Sequence, residues 1–550
     1  MDKSTNVATL IRATGFKGEI INEATDLIKY ENDTSLFEIH PAVAVKPTDT
    51  DDIKKLVSLV INKKDENSSL SLTARAAGTG MAGGALNDSI IVDVSNLNHI
   101  KKVTADRAIV EPGVFYRDMD AATQEFGAIM PSFPASRKLC AVGGMTGTNA
   151  SGEMTLTYGS TERWVKRLKV ILSDGNEYEF KPLPPALLEE KKKLPTFEGE
   201  VYRRMYELLE NNYDLIKNAK PKVAKNSTGY ALWNVWDRDT FDLTKLFTGS
   251  EGTLGIFTEI EFALIKPKKH RKLLIMFLRD FSNLSEVVTM VLAHKPETFE
   301  SYDDHTFRFA IRFFPDIVKS LKTGLIKLGI SFIPEIMMLL KGGFPKLVLL
   351  AEFTGDSEEE ANQKANLAFK DLQEFHAPME IMRTEKDAEK FWTIRHESFN
   401  LLRNHSGKSK TAPFIDDIIV APEKLPEFLP KLSKIMGEYK LTYTIAGHIG
   451  DGNLHIIPLM NLRNARDRDI VMELSQKVFD LVFSFGGSMS AEHNDGLVRT
   501  PYLRQMYGDE VYHLFEETKK IFDPKNIFNP SKKVFGHDLD YIKEHIDKTY

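Results

Sequence analysis

The sequence predicts an α+β fold with mixed strands, and three observations carry that expectation. From about Phe37 to Lys266, short β-rich runs such as "AVAVKP", "SIIVDVS", "AIVEPGV" and "GIFTEIEFALIKP" are punctuated by glycine. Between the first two lies "TDTDDIKKLVSLVINKK", where Thr and Asp capping candidates precede Ile53, Leu56, Val57 and Val60 at helical spacing. The third observation is "AAGTGMAGGALNDSIIVDVS", Ala76 to Ser95, whose Gly78, Gly80 and Gly83 have the G-x-G-x-x-G spacing. A Rossmann site needs a helix directly after those glycines. Here only "ALND" separates Gly84 from the next β-branched run, so the order is strand, glycine loop, strand. That order excludes the Rossmann unit. It leaves open both a backbone nest for phosphate and a plain tight turn.

A chain of 550 residues is too long for one core and implies two or three domains. The reading is an N-terminal extension (1–36), a glycine-rich first domain (37–267), a second domain (268–485) and a C-terminal segment (486–550). The first domain is interrupted at about 182–220 by an insertion rich in proline and charge with a helical pattern, "KPLPPALLEEKKKLPTFEGEVYRRMYELLENNYDLI". The second domain opens on the alternating run "KLLIMFLRDF", followed by the helix signal "LSEVVTMVLAHK".

A net charge of -6 gives no general footprint for nucleic acid. The single cysteine, Cys140, excludes an internal disulfide, a self-contained four-cysteine iron–sulfur cluster and a multi-cysteine zinc site. Redox chemistry therefore needs an organic cofactor or a partner. The start "MDKSTNVATLIRATGFKGEI" has no apolar core of a secretory signal, and a cytoplasmic location is expected. Segment 305–346 stands apart, with seven Lys and Arg against two acids amid Phe, Ile, Leu and Met. A cationic amphipathic surface of this kind can lie on anionic lipid at the inner face of a membrane. A helical pair packed on the domain core, with its lysines in water, is the alternative.

The most informative stretch is "YTIAGHIGDGNLHIIPL", Tyr443 to Leu459. Two apolar strands flank the turn-forming "GDGN", so His448 and His455 fall at the mouths of opposing hairpin strands. Two neutral imidazoles supply part of a divalent-metal site and a further ligand must come from elsewhere. "GGSMSAEHNDG" offers Glu492, with the adjacent His493 as a base suited to neutral pH. A metal holding an α-hydroxy acid by its hydroxyl and carboxylate would acidify the hydroxyl. His493 would take that proton while hydride leaves Cα for a cofactor, and Arg395 in "FWTIRHESF" can grip the carboxylate in bidentate fashion, unless it is a surface ion pair. In the first domain, "PASRKLCAVGGMTGTNASGEMTLTYGS" and "GSEGTLGIFTE" add two further glycine segments. Three glycine loops around strands are read as backbone pressed against one large, flat ligand.

The Gly78 loop, "VGGMTGTNASG" and "GSEGTLGIFTE" resemble the flavin domain of the vanillyl-alcohol oxidase and p-cresol methylhydroxylase superfamily. "GHIGDGNLH", "SAEH" and "FDPKNIFNPSK" resemble the C-terminal domain of its D-2-hydroxy-acid branch, which includes FAD-linked D-lactate and D-2-hydroxyglutarate dehydrogenases and the glycolate oxidase flavin subunit. The resemblance spans about Phe37 to Phe535. It implies a two-subdomain α+β FAD domain, an α+β cap over the flavin, and a C-terminal segment packing back on the FAD domain. FAD is implied to lie non-covalently against Ala77, Gly78, Thr79, Gly80, Met81, Ala82, Ser136, Gly143, Gly144, Thr148, Asn149, Ala150, Gly152, Gly252, Thr253, Ile256 and Asn529. His448, His455 and Glu492 are implied to bind a divalent metal, zinc by preference with manganese or iron as alternatives, His493 to be the base and Arg395 the carboxylate-binding residue. "KNSTGY", Lys225 to Tyr230, matches a flavin-domain motif near the active site.

The departures bear on substrate. Where D-2-hydroxyglutarate dehydrogenases have threonine, asparagine and lysine for the distal end, this chain has Phe399, Ile457 and, at or near the third position, Ile415. A second carboxylate would be buried without partners there, so a D-lactate-like or apolar 2-hydroxy acid is expected. The glycines usual after "AEH" are replaced by "NDG", Asn494 to Gly496, which implies an altered loop beside the base. The expected acceptor of electrons is not NAD but a quinone, an electron-transfer flavoprotein or an iron–sulfur partner. Another enzyme of the superfamily, such as an oxygen-using oxidase, and a non-catalytic flavin subunit are the alternatives.

Overall fold

The computed structural model describes residues 3–312, 344–404 and 409–549, with side chains omitted for 3, 309–312 and 397–404. Most of the basic segment 305–346, and the side chain of Phe399, lie outside the described residues.

Three sheets organise the chain. The first has strands β1 (Glu19–Ile21), β2 (Val43–Lys46), β3 (Leu72–Arg75) and β4 (Ile90–Asp93) in the order β1-β2-β4-β3. β4 is parallel to β2 and β3, whereas β1, from the N-terminal stretch, adds antiparallel at the edge. The helix Thr50–Lys63 connects β2 to β3 and is capped by the Asp49 carboxylate, which accepts from the Asp52 amide at 3.0 Å. Its Ile53, Leu56, Val57 and Val60 are all buried, as their spacing predicts. The second sheet is antiparallel, with β5 (Ile100–Val103), β6 (Arg107–Val110), β7 (Val165–Ile171), β8 (Glu177–Phe180) and β9 (Ile256–Ala263) in the order β5-β6-β9-β7-β8.

The third sheet carries the second domain. Its strands are β10 (His270–Leu278), β11 (Thr298–Asp303), β12 (Leu347–Gly355), β13 (Met379–Ile381), β14 (Lys410–Thr411), β15 (Ile418–Ile419), β16 (Thr442–Gly447) and β17 (Asn453–Met460). The order is β13-β10-β12-β11-β16-β17-β14, with β15 also on β17. One face packs Leu273, Ile275, Tyr302 and Leu350 against Phe391 and Ile394 of the helix Glu385–Asn404. The opposite face buries Leu274, Met276, Phe299 and Phe353 against Val287 and Val288 of the helix Leu284–Ala293 and Ala365 of the helix Glu358–Leu372. The sheet is thus covered on both sides, which accounts for β12 being buried throughout.

One expectation is corrected. The glycine segment around Gly143 is not a loop but a short helix, Val142–Thr148, ended by Asn149 in the left-handed conformation (φ 54°). Glycine is a poor helix former, so the sequence reads as loop. The folded chain nonetheless holds it as a helix, its first turn set so close to Pro112 that Gly143 donates its amide to Pro112 O at 2.8 Å and a Cβ there would press on Pro112 at 2.7 Å. The stretch 182–220 folds as three helices, Pro185–Lys192, Phe197–Asn211 and Tyr213–Ala219, whose Leu188, Tyr202, Met205 and Ile216 join the main core.

The C-terminal residues stitch the first sheet to the rest. Leu72 donates its amide to Ile527 O at 2.7 Å, and Asn529 returns its own amide to Leu72 O at 2.8 Å. Lys533 Nζ sits fully buried, 2.9 Å from Asp495 Oδ2, and donates to the Ser227 and Gly229 carbonyls at 3.0 and 2.8 Å. Lys533→Met strands the Asp495 carboxylate and should cost about 3–5 kcal/mol, seen as a lowered denaturant midpoint. Adding Asp495→Leu should recover part of the loss.

Candidate active site

Two hairpin strands place the first pair of side chains. Ala446 of β16 pairs with His455 of β17, so His448 leaves the end of one strand beside His455 on the other. The turn between them requires Gly452 at φ 78°, where a Cβ would run into the Val420 carbonyl. The two imidazoles stand perpendicular, centroids 5.3 Å apart, and His493 stacks on His455 at 5.2 Å.

All three rings converge on one oxygen. Glu492 Oε1 lies 3.4 Å from His448 Nε2, 3.2 Å from His455 Nε2 and 3.8 Å from His493 Nε2. The other nitrogen of each ring faces a carboxylate: His448 Nδ1 is 2.6 Å from Glu300 Oε1, His455 Nδ1 is 3.1 Å from Asp416 Oδ1, and His493 Nδ1 is 3.0 Å from Asp416 Oδ2. Glu492 Oε2 is held by Lys225 Nζ at 2.9 Å and Ser151 Oγ at 2.8 Å. Asp417 has a carboxylate oxygen that, with donor atoms of His455, Glu492 and His493, forms a group in which all lie within 4.8 Å of one another, but it is occupied. Its Oδ1 accepts from Asn453 Nδ2, and its Oδ2 from Ser490 Oγ and the Glu492 and His493 amides. Asp417 shapes the loop rather than offering a ligand atom.

This arrangement fits a divalent cation. Two imidazole nitrogens and a carboxylate oxygen converge, and each ligating ring is oriented by a carboxylate behind it, as metal-binding histidines usually are. The electrostatics agree. Burial lowers the pKa of His455, but Asp416 and Glu492 outweigh it and raise the ring to about 10. Burial likewise opposes ionisation of Glu300, yet His448 and Arg395 hold its carboxyl down at about 2. The pocket favours positive charge among its acids.

Arg395 comes from the helix Glu385–Asn404 and donates from Nε to Glu300 Oε2 at 2.9 Å, which brings it to the same carboxylate that orients His448. Ile457 is two residues past His455 on β17, hence on the same face, and is 7% exposed. Ile415 is fully buried in the core.

The loop after the base follows from its altered sequence. Asn494 adopts φ 69°, a conformation asparagine tolerates, and its side-chain amide donates to Thr148 O and Gly249 O at 3.1 and 2.9 Å. Gly496 stands at φ 50°, against the Ala82 carbonyl. Buried Arg499 donates to the Met489, Asn494 and Asp416 carbonyls, pinning both sides of the histidine cluster.

The same loop leads into a groove lined by the glycine segments. Gly249 and Glu251 donate their amides to the carbonyls of Thr146 and Gly147 at 2.9 and 2.8 Å. Gly144 lies nearest Ala76 and Gly252 nearest Ala74, so the three segments adjoin. Gly147 is buried, yet a Cβ there would meet nothing within 4 Å, and at Gly80, Gly144 and Gly252 it would meet single atoms only at 3.7–3.9 Å. Buried backbone facing open space is a cradle for a flat group, and the residues fit a flavin nucleotide. Other positions expected at the flavin are engaged within the protein. A Cβ at Gly152 would strike the Phe133 carbonyl, Ile256 is in the core, and Thr253 Oγ1 donates to the Ser250 carbonyl. Asn529 Nδ2 donates to Gly84 O and Glu251 O. Ala77 to Ala82 lie in the β3–β4 loop, Thr148 is the last residue of the helix Val142–Thr148, and Ser136 and Ala150 lie before and after it.

With this geometry in hand, the comparisons are consistent. Residues 41–181 match the FAD binding domain family, and residues 267–533 match the C-terminal domain family of FAD linked oxidases. The fold and the paired domains define a two-domain flavoprotein. The chain carries the FAD binding domain and the C-terminal domain of the FAD linked oxidases. It is 29% identical over 531 residues to a D-2-hydroxyglutarate dehydrogenase of Pseudomonas putida, covering 95% of this chain but 51% of that protein, and so spans about half its length. It is 24% identical to the glycolate oxidase subunit GlcD of Bacillus subtilis, over 96% of each chain, and 25% identical to a D-lactate dehydrogenase of Archaeoglobus fulgidus, over 90% and 91%. The structure of p-cresol methylhydroxylase with substrate bound superposes with a TM-score of 0.68 at 15% identity, covering 98% of both chains, and shares the fold.

Sequence motifs found the histidines, Glu492 and the glycines, but missed Glu300, Asp416, Asp417 and Arg499 and gave Lys225 no role. "FIDD" carries a local signal, since two adjacent carboxylates within an apolar run are rarely buried unless they are paired. Glu300 carries none.

Gly147→Ala tests the groove. A Cβ has room in the protein alone, so the variant should fold with undiminished thermal stability yet purify with less flavin. Full FAD content would mean that the cradle lies elsewhere.

Proposed function

We propose that the protein oxidises a D-2-hydroxy acid to the 2-oxo acid, with an apolar monocarboxylate of the D-lactate type as substrate. The observation that carries this reading is the convergence of His448, His455 and His493 on Glu492, with Arg395 reached through the shared Glu300. Names of relatives support the reaction class.

FAD bound along the glycine groove would accept the hydride from Cα. A divalent cation, zinc by preference, held by His448, His455 and Glu492 would acidify the substrate hydroxyl. Arg395 would bind the carboxylate and so set which face of Cα turns to the groove. His493 takes the hydroxyl proton. Its side chain is 22% exposed, the most open of the three imidazoles. Burial lowers its pKa, but Asp417 and Asp416 raise it further, which favours the imidazolium formed on taking a proton. Ile457, beside His455, offers a distal carboxylate no partner and suits an apolar substituent. Electrons then pass to an acceptor other than NAD, with a quinone as the class to test first. Among the described residues no helix is long and apolar enough to cross a membrane.

Anaerobic titration with D- and L-lactate and longer D-2-hydroxy acids is the decisive experiment. A D-isomer should bleach the flavin and its L-isomer should not. A flavin that stays oxidised with every acid would overturn the reading. His493→Ala should keep its FAD and lose about 10²–10⁴-fold in the rate of reduction. Verified removal of divalent metal should stop reduction without releasing FAD, and unchanged turnover would remove the metal from the mechanism.

A further inference from the structure

Glu300 belongs to neither group of residues that the motifs single out, yet it touches both. It sits on β11, a central strand bonded to β12 on one side and β16 on the other, and is 1% exposed. Its two oxygens are divided. Oε1 faces His448 Nδ1 at 2.6 Å, and Oε2 accepts from Arg395 Nε at 2.9 Å. His448 leaves the β16–β17 hairpin, whereas Arg395 projects from a helix that packs on the sheet face.

From this division we infer that Glu300 is a positioning residue that sets the spacing between the carboxylate-binding Arg395 and the cation ligand His448. The inference rests on the proposed function for what those two residues hold. A 2-hydroxy acid presents its carboxylate and hydroxyl on adjacent carbons, so their separation is fixed by one bond. A site that grips both must fix its own two anchors just as tightly, and misplacement by about 1 Å is enough to slow catalysis by about 100-fold. One rigid, buried carboxylate bonded to both anchors meets that requirement. Glutamine cannot replace it, because an amide has one acceptor oxygen and turns donor hydrogens toward the second partner.

The test uses FAD-loaded Glu300→Gln with two separate readings. Zinc affinity is measured by competition with a chelating dye, and propionate affinity by perturbation of the flavin spectrum in zinc-free protein. Thermal stability and FAD content serve as controls that a purely structural role would move. The expected result is zinc binding weakened by about 10–100-fold and propionate binding weakened by about 10-fold, the loss of a charge-assisted bond, with FAD content unchanged. Wild-type affinity for both ligands would overturn the assignment. If the wild-type protein binds no zinc, the metal part of the proposed function fails by itself. The propionate reading then decides for Glu300 alone, and unchanged affinity overturns it. Should the glutamine variant not fold, Glu300→Asp keeps the charge but withdraws the oxygens by one methylene. The same losses are expected there, and wild-type values for both ligands would again overturn the assignment.

Discussion

The site depends on how the two oxygens of Glu492 are used. One faces the imidazoles of the second domain's hairpin, and the other is bonded to Lys225 and Ser151 of the first. Glu492 and Lys225 are both buried, and taking such charges from water costs several kcal/mol per ion unless geometry and further hydrogen bonds offset it. Here they do. Lys225 has Asp451 at 3.9 Å as a second carboxylate, and Glu492 has Ser151 as a second donor. A small slip between the domains would leave a buried carboxylate or ammonium unpaired, so the ion pair fixes where the histidines stand relative to the glycine groove.

Around that pair the backbone is held in conformations it would not choose alone. Asn149, Glu251, Asp417 and Asn494 all have positive φ, and all four lie where the histidine cluster meets the glycine segments. Such positions persist only when surrounding bonds over-determine them. Asp417 illustrates this, since its side chain accepts from Asn453, Ser490 and two successive amides. Glu251 bonds to the Gly496 amide, and burial pushes its carboxyl up to about 7. Rigidity at this junction keeps the His493 ring and the glycine groove in fixed relation.

The replacement of glycines by "NDG" beside His493 is thereby explained. Asparagine supplies the left-handed turn that glycine would have given, and in addition its amide bonds the Thr148 and Gly249 carbonyls. Aspartate gains a buried lysine, Lys533, as partner. The loop is anchored to the glycine segments by these bonds. Ile457 and Ile415 also have distinct fates: Ile457 shares a face with His455, whereas Ile415 is sealed in the core and cannot serve as a wall of the site.

Much was legible in the chain because it is local. Hairpin geometry follows from two apolar runs and a glycine turn, so the meeting of His448 and His455 needed no tertiary information. The strand, glycine loop and strand order around Gly78 likewise excluded a Rossmann unit before any fold was known. Short-range preference misled at Val142–Thr148, a glycine-rich stretch that is helical and lies close against Pro112. What only the tertiary structure decided is the partner of each functional group. Glu300 is one of 78 acidic residues, and nothing in its neighbours along the chain marks it. Its role exists because β11 lies between the hairpin and the strand beneath the Arg395 helix, 148 residues before His448 and 95 before Arg395. Local sequence fixes what a segment can become; which carboxylate meets which cation is set by burial, because only the folded interior makes an unpaired charge too costly to leave.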